Sequence, residues 1–375
     1  MSTEATHCLR TRRLKVKSEA YGWLNAAACE VNTVWNYANA TTYKAARPFA
    51  GPAKWLSAFD LDSLTAGSAR YFDRIGSETI QRVNAEFVAR RKQFKKTKLR
   101  WRISRGSKRS LGWIPFKAHQ IKHKGKSLRF AGKAFRVFEQ HLLKEAKWKA
   151  GCFAQDAVGD WWLCLPREIL LAPSLATNWA VGLDLGLKRT VVASDGERLE
   201  AGRFYRQVEQ KIAQAQRRGH KRKAKRLNRT AARRRKDALH KFSKKIVDKY
   251  QYIVIGDVSS RQLVKTPMAK SVLDSGWGTL KMQLQYKGQQ AGRSIRIVCE
   301  KYTTRACSGC GSLTGPAGLD MLNVRTWTCS ECGGIHDRDI NAAKNILSAG
   351  RCPPSVRGNE RSISVAVANP TPSQC

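Results

Sequence analysis

Apolar positions in the first hundred residues recur at helical spacing. Leu24, Ala28, Val31, Trp35 and Ala38 fall on one face at the 3.6-residue period, and Ile80, Val83 and Phe87 form a second stripe. The second stripe predicts a helix that starts at Ser77 as N-cap, with Glu78 in its first turn. Ordinary core packing accounts for both stripes. From Leu99 to Pro173 the pattern shifts to short runs, Leu128–Phe130, Phe135–Phe138 and Trp161–Leu165, separated by glycine-containing turns, which predicts strands. Aromatic and basic residues interleave there, as in Trp101-Arg102, Arg109, Trp113, Phe116, Lys117, His123, Lys124 and Lys126. That arrangement suits phosphate contacts with base stacking, and equally a barrel with an aromatic core and solvated charges.

Between Asn178 and Glu300 the runs predict strands at Trp179–Leu185, Thr190–Ser194 and Leu199–Phe204, then a long basic helical region to about Tyr250. A strand Ile253–Val258, a helix Trp277–Ala291 and a strand Ile295–Cys299 follow. Three strands, helix, strand, helix, strand is the order of an RNase H-like fold, with parallel pairing and right-handed crossovers. Ligands in such sheets gather beyond the carboxyl ends of the strands. A cysteine cluster and a short helix come next. The segment Arg351–Cys375 carries Pro, Ser, Val and Asn without periodicity and is expected to be a disordered tail.

Charge narrows the function. Seventy Lys and Arg oppose 28 Asp and Glu, a net charge of +42, while 42% of the 375 residues are apolar and eleven are Trp. A folded protein with that charge calls for an anionic partner, either nucleic acid or a membrane surface. Membrane association is disfavoured. Met1–Arg13 carries Glu4, Arg10, Arg12 and Arg13 without an apolar stretch, and no run of about 18 apolar residues occurs. Eleven cysteines, sparse and odd in number, do not suit a secreted disulfide scaffold. The expectation is a cytoplasmic protein that binds nucleic acid.

Four cysteines have a specific use. Cys307-Ser-Gly-Cys310 and Cys329-Ser-Glu-Cys332 are two C-x-x-C knuckles eighteen residues apart, and Gly311 and Gly333 permit tight turns after them. Four thiolates at that spacing predict a closed, structural zinc site whose binding energy, on the order of 10 kcal/mol, holds a segment too short for its own core. The other seven cysteines, Cys299 included, read as small buried apolar residues.

Carboxylates supply the candidate chemistry. Gly182-Leu183-Asp184-Leu185-Gly186 sets Asp184 at the end of the first predicted strand of the RNase H-like order, a pattern shared with the phosphate loops of actin-like ATPases. His336-Asp337-Arg338-Asp339-Ile340-Asn341 opens the short helix after the knuckles, with Asp337 as its cap and Asp339 one turn in, facing the sheet. An RNase H-type nuclease needs three or four carboxylates around two divalent ions, and hard oxygen ligands suit Mg²⁺ or Mn²⁺. The third acid is expected at the end of strand Ile253–Val258, where Gly256 stands, and Asp257 points to the opposite face. Glu300 ends the next parallel strand, about 4.8 Å away, and is long enough to cross to the place Gly256 leaves open. Asp184, Glu300 and Asp339 are therefore the expected catalytic metal ligands. The competing possibility is that Glu300 pairs with Lys301 or Arg305 and the site is dead.

Lys211–Lys249 holds seventeen Lys or Arg opposed only by Asp237 and Asp248. A run so nearly single-signed reads as a phosphate-binding surface. Arg217, Arg218, Lys221, Arg222, Lys225, Arg229, Arg233 and Arg234 are its expected contacts.

With these residues in view, the chain resembles the TnpB family of transposon-encoded RNA-guided nucleases, relatives of the miniature type V CRISPR effectors. The matching stretches are Gly182–Gly186, Lys270-Ser-Val-Leu-Asp-Ser-Gly-Trp277, Tyr302-Thr-Thr-Arg-Ala-Cys-Ser-Gly-Cys310 and His336–Leu347. The resemblance implies a multidomain α+β and α/β protein. A β-barrel wedge domain (1–18 and 99–176) would be interrupted by a helical recognition lobe (19–98). An RNase H-like RuvC domain (178–302 and 335–350) would be interrupted by a zinc ribbon (303–334) that binds target nucleic acid, with the tail from 351 to 375 outside both. It also implies a guide RNA made from the transposon end, single- and double-stranded target DNA, and cleavage beside a short transposon-adjacent motif by two-metal hydrolysis at Mg²⁺ or Mn²⁺. Asp184 would bridge both ions, with Glu300 and Asp339 holding one each. Most members carry Glu where Gly256 stands, and a subgroup similar to this chain carries it before the knuckles, matching Glu300. The alternatives are a nuclease-dead RNA-guided regulator and a guide-independent zinc-ribbon protein of transposition.

Overall fold

Helix α1 (Tyr21–Ala45) buries Leu24, Ala28, Val31, Trp35 and Ala38 on the face that the 3.6-residue period marks out. It is the first helix of a computed structural model that describes residues 7–49, 51–124, 127–143, 148–171, 179–258, 263–318, 321 and 323–351. The tail from 352 onward, the first six residues of the expected barrel, Asn178, Lys126 and the side chains of His123 and Lys124 lie outside the described residues. Those described fall into two units, 7–169 and 170–351.

In the first unit α1 packs with α2 (Ala58–Leu64) and α3 (Ser77–Phe94). A capping box starts α2: the Asp60 N–H donates to the Ser57 hydroxyl, and the Ser57 N–H donates to the Asp60 carboxylate. Ser77 does not cap α3. Gly76, extended at φ −97°, is the N-cap and its carbonyl accepts from Thr79 and Ile80, so Ser77 is already helical and one position too late to serve.

Strands β1 (His7–Lys15), β2 (Trp113–Phe116), β6 (Gly151–Gln155) and β7 (Trp161–Leu170) form a sheet in the order β1-β7-β6-β2. Strands β3 (Lys122–Lys124), β4 (Ser127–Phe130) and β5 (Lys133–Phe135) form a second one. Phe116, Phe130, Phe135 and Phe153 pack with neighbouring ring centroids 5.3–5.7 Å apart. Trp113 and Phe116 are therefore core, and the Arg102 guanidinium lies 5.9 Å from the Trp35 and Trp113 rings and donates to Asn32 and the Leu111 carbonyl. These three residues of the interleaved run face inward: Trp113 and Phe116 are core as the barrel reading expects, and Arg102 is held within the fold and not turned to phosphate. The chain from Leu99 to Gly112 is no strand. It is pinned along α1 by Asn36 and Asn39, each of which exchanges two hydrogen bonds with the backbone of Arg102 and Leu99 respectively.

The second unit is built on a five-stranded sheet of β8 (Ala180–Asp184), β9 (Arg189–Ala193), β10 (Arg198–Glu200), β11 (Tyr252–Gly256) and β12 (Ser294–Val298), in the order β10-β9-β8-β11-β12. Strand β11 is parallel to both β8 and β12, and the other two pairings are antiparallel. Val181, Leu183, Ile253 and Ile255 pack against Leu239, Phe242 and Ile246 of α5 (Lys221–Lys249), Val272 of α6 (Ala269–Ser275), and Leu280 and Leu284 of α7 (Trp277–Gln290). Period-2 alternation turns Gly182 and Val254 to the other face, which α8 (Arg338–Arg351) covers. Gly182 is required there: a Cβ would run into the Ala343 carbonyl and come 2.8 Å from the Leu347 nitrogen, so α8 lies backbone to backbone on β8.

The basic run is not one helix. Gly219 at φ 70° breaks it into α4 (Arg206–Arg217) and α5, which pair around Ile212, Ala215 and Ala224. Among the described residues, the cysteines outside the knuckles also depart from expectation. Cys8, Cys29, Cys152 and Cys164 are half-buried, and Cys299 is exposed because it follows β12 at the sheet edge.

Candidate functional site

The register of β8 and β11 decides which acids meet. Ile255 lies opposite Leu183, so one residue further on Gly256 stands beside Asp184, both on the face under α8. Gly256 also pairs with Val298, the last residue of β12, and the chain then turns through Tyr302, held at φ 67°. That turn brings the Glu300 side chain back over Gly256. A Cβ at position 256 would overlap the Glu300 Oε1 and lie 2.5 Å from its Cγ. Glu300 Oε1 is buried without a hydrogen-bond partner. The two cations that would have neutralised Glu300 are turned elsewhere, Lys301 over the Tyr302 ring at 5.0 Å and Arg305 at 5.9 Å.

Burial pushes the Asp184 carboxyl up to about 7; the Asp339 charge adds to the rise, and Arg338 and the Leu185 N–H oppose it. Burial likewise pushes Glu300 up to about 8, with Asp184 and Asp257 adding repulsion and Lys281 opposing it. Two acids that resist ionisation side by side, one with an orphaned oxygen, carry the chemistry that a divalent cation would satisfy. Asp257 is on the other face, exposed and paired to Lys281 at 2.7 Å. Asp339 is differently placed. Asp337 caps α8, its Oδ1 accepting from the Asp339 and Ile340 N–H groups at 3.0 Å, which brings Asp339 to the sheet. There it accepts from Arg325 at 3.1 Å and Arg189 at 3.4 Å, so its charge is balanced by the protein itself.

The ribbon hairpin of β13 (Thr326–Thr328) and β14 (Ile335–Asp337) brings the knuckles together. The ligand atoms of Cys307, Cys310, Cys329 and Cys332 lie within 4.8 Å of one another, and among the described residues no other group of three or more His, Cys, Asp or Glu comes so close. Gly311 and Gly333, at φ 82° and 69°, close the two turns with bonds to the Cys307 and Cys329 carbonyls. The Ser312 and Thr314 hydroxyls stand 3.2 Å from the Cys329 sulfur and hold its thiol down at about 5, favouring thiolate. Four soft donors in this arrangement fit one zinc ion.

Known proteins share these segments. A family model described as "Cas12f1-like, TNB domain" matches residues 277–346, the span of Glu300, all four cysteines and Asp339. A second, OrfB_IS605, described as "Probable transposase", matches residues 166–266, which include Asp184. A protein of Streptomyces pristinaespiralis named as a candidate RNA-guided DNA endonuclease is 35% identical over 211 residues, 52% of each chain. TnpB-like protein L79 of Acanthamoeba polyphaga mimivirus is 32% identical over 125 residues, 32% of this chain and 23% of its own. Over these segments the chain resembles TnpB-like proteins. It spans about half the length of the Streptomyces relative. A Cas12f1 chain, solved with sgRNA and target DNA, has the same fold at a TM-score of 0.56 and 13% identity, covering 88% of this chain and 83% of that one.

The basic hairpin divides in two. Toward its end the cations are paired: Lys241 with Asp237, Lys244 with Asp248, Lys245 with Glu197 and Lys249 with Asp195, all at 2.7–2.8 Å. Arg235 pairs with buried Asp274 at 3.0 Å. Arg217, Arg218, Lys221, Arg222 and Lys225 lie around the Gly219 turn, on the exposed side of the hairpin. Arg229, Arg233 and Arg234 follow along α5.

Several participants had no readable signal. Arg189 and Arg325 look like any surface cations until the fold brings them onto Asp339. His336, with Nε2 3.0 Å from the Cys307 sulfur and its ring 4.7 Å from that of Trp327, joins the cysteine cluster although no metal-site spacing includes it. Among the described residues no helix is long and apolar enough to cross a membrane.

Proposed function

We propose that this chain is an RNA-guided DNA endonuclease of an insertion sequence, cutting DNA beside a short transposon-adjacent motif, with Asp184, Glu300 and Asp339 as its catalytic residues. The observation that carries the reading is the Glu300 Oε1, buried without a hydrogen-bond partner and lying over Gly256 next to Asp184. An isolated buried acid of no function would pair with one of its neighbouring cations.

The strand order and parallel pairings of the second unit support reading it as an RNase H-like RuvC domain with the 303–334 segment as its ribbon. The first unit is read as wedge barrel (1–18, 99–176) and recognition lobe (19–98). Mg²⁺ or Mn²⁺ held by Asp184 and Glu300 would supply an activated water for in-line attack and charge for the departing 3′ oxygen. The residues themselves do the following. Asp184 would be the shared ligand, and Glu300 would add the second carboxylate from beyond β12. Asp339 is the third, and Arg189 and Arg325 keep its charge balanced at rest. The four cysteines would hold zinc, which would keep the ribbon folded. Cations around the Gly219 turn bind phosphate of guide RNA or target DNA, while base pairing reads sequence.

The ion pairs on Asp339 favour a second reading, a guided DNA-binding protein that does not cut. One experiment separates the two. Protein co-purified with its RNA is given Mg²⁺ and a plasmid library with a guide-matched target beside randomised flanks, wild type alongside Glu300→Gln. Cutting by wild type alone supports the endonuclease with Glu300 as ligand. Cutting by both moves the ligand elsewhere, and binding without cutting by either supports the second reading.

A further inference from the structure

Asn341 and Asn345 lie one turn apart on α8, and both reach away from the sheet site to the irregular segment that joins Glu300 to the first knuckle. Asn341 is 1% exposed; its Nδ2 donates to the Ala306 carbonyl at 2.8 Å and the Thr303 carbonyl at 3.4 Å, and its Oδ1 accepts from the Ser308 N–H at 2.8 Å. Asn345 Nδ2 donates to the same two carbonyls, at 2.7 and 2.8 Å. The segment is gripped from its other side too, since the Gly315 N–H donates to the Arg305 carbonyl at 2.9 Å and a Cβ there would stand 2.8 Å from it. At its near end, the Thr303 N–H and hydroxyl both donate to the Glu300 carbonyl, at 3.2 and 2.9 Å.

Each contact answers a need. A stretch without regular structure leaves carbonyls and N–H groups that must be satisfied when buried, and a carboxamide offers both a donor and an acceptor end. Strand pairing does not fix Glu300, because β12 ends at Val298. Its place over Gly256 depends on the turn through Tyr302 and on whatever holds residues 303–308. The same helix carries Asp339 in its first turn, so one rigid element sets two of the three carboxylates.

We propose that Asn341 and Asn345 are positioning residues: by clamping residues 303–308 to α8, they hold Glu300 against Asp184 and tie that position to the first cysteine knuckle. This rests on the nuclease reading above. The geometry also states what would make the clamp unnecessary. A glutamate on β11 itself, at position 256, would be fixed by the strand and independent of residues 303–308.

The test is a double-mutant cycle on guide-loaded, zinc-loaded protein. Asn345→Asp puts an acceptor against two carbonyls and releases the segment; Asn345→Ala removes the donor without repulsion. Either substitution is expected to slow cutting by about 10²-fold, with one zinc per chain retained and guided target binding unchanged. Mn²⁺ affinity of the zinc-loaded protein, followed by electron paramagnetic resonance, is expected to weaken in parallel. In the Gly256→Glu/Glu300→Gly background the same substitutions are expected to change Mn²⁺ affinity little. Equal losses in both backgrounds overturn the proposal, as does wild-type Mn²⁺ affinity in both Asn345 variants. Loss of zinc or of a cooperative melt in both variants makes the asparagines supports of the ribbon alone and also overturns it. If wild type itself does not cut, the nuclease reading falls, and the Mn²⁺ titration still decides the clamp.

Discussion

The Glu300 side chain fills the space that any side chain at Gly256 would need. Gly256 ends β11 and Glu300 lies two residues past the end of its parallel neighbour β12, and the absence of one side chain is the condition for the placement of the other. A carboxylate is thereby delivered beside Asp184 from the chain beyond β12, not from β11. The arrangement makes position 256 a sensitive probe of the site even though it has no functional group.

Gly256→Ala is therefore expected to be damaging out of proportion to its size. Gly256 does not need positive φ, so alanine is conformationally allowed, yet its Cβ collides with the Glu300 carboxylate. Cutting should fall by about 10²-fold, the scale expected for misplacing a reacting group, while the melting temperature drops by only a few degrees. Zinc content and guided binding should be unchanged. Near-normal cutting by Gly256→Ala would show that the Glu300 carboxylate is not needed where it lies.

The raised carboxyls predict a pH signature in metal-free protein. Asp184 at about 7 and Glu300 at about 8 hold protons in the folded state that the unfolded chain releases near pH 4. Folding then takes up protons, so their contribution to stability is full below about pH 4 and is lost as pH rises through 7 to 8. The large positive charge has its own pH dependence, which a comparison with Asp184→Asn/Glu300→Gln removes. The double variant should gain on wild type by roughly 1–4 kcal/mol between pH 5 and pH 8, measured by denaturant unfolding with chelator present. Mg²⁺ should shrink that gap. A gap that is flat with pH would mean the two acids are not held protonated by the fold.

What was legible before the structure follows from how local each feature is. Gly182–Gly186, the two knuckles and the Asp337 cap are local patterns, and the sheet order came from counting alternating runs. Gly256 with Glu300 was readable because parallel strands bring equal ends to one edge. Features set by distant partners were not readable. Arg189 and Arg325 meet Asp339 through two separate turns, Asn341 is satisfied by a segment more than thirty residues away in sequence, and β1 hides its alternation under arginine and lysine. The four-residue β2 contains Pro115, which an edge strand tolerates and a run-based reading rejects. Gly219 within the basic run was a visible break, outweighed by the charge pattern around it.

Zinc should be separable from the carboxylates. Cys329→Ser removes a buried ligand whose thiol is already driven toward thiolate by its neighbours, and should lose the metal. The ribbon is expected to unfold, a loss on the order of 10 kcal/mol of metal-linked folding energy, seen as missing zinc by mass spectrometry and as an early melting step. Cys299→Ser, at an exposed residue outside the cluster, should keep one zinc per chain. Equal zinc content in both variants would remove the four-cysteine assignment.

The division of the basic hairpin makes the phosphate-binding proposal quantitative. Replacing Arg217, Arg218, Lys221, Arg222 and Lys225 with Gln removes cations around the Gly219 turn, where no acid among the described residues receives them in the way Asp195 and Glu197 receive Lys249 and Lys245. If they bind phosphates, the slope of log affinity against log salt should become shallower by about 0.9 for each phosphate no longer neutralised on duplex, or about 0.7 on a single strand. Replacing Lys241, Lys244, Lys245 and Lys249 removes nearly as much charge from α5, but each of those ammonium groups already has a carboxylate at 2.7–2.8 Å. That set should leave the slope nearly unchanged, because a cation paired within the protein displaces few counterions from nucleic acid. The comparison stays within one hairpin and varies which cations are committed. Equal slope changes for the two sets would mean that binding senses total charge, and the hairpin would then be a solvated basic surface with no dedicated phosphate contacts.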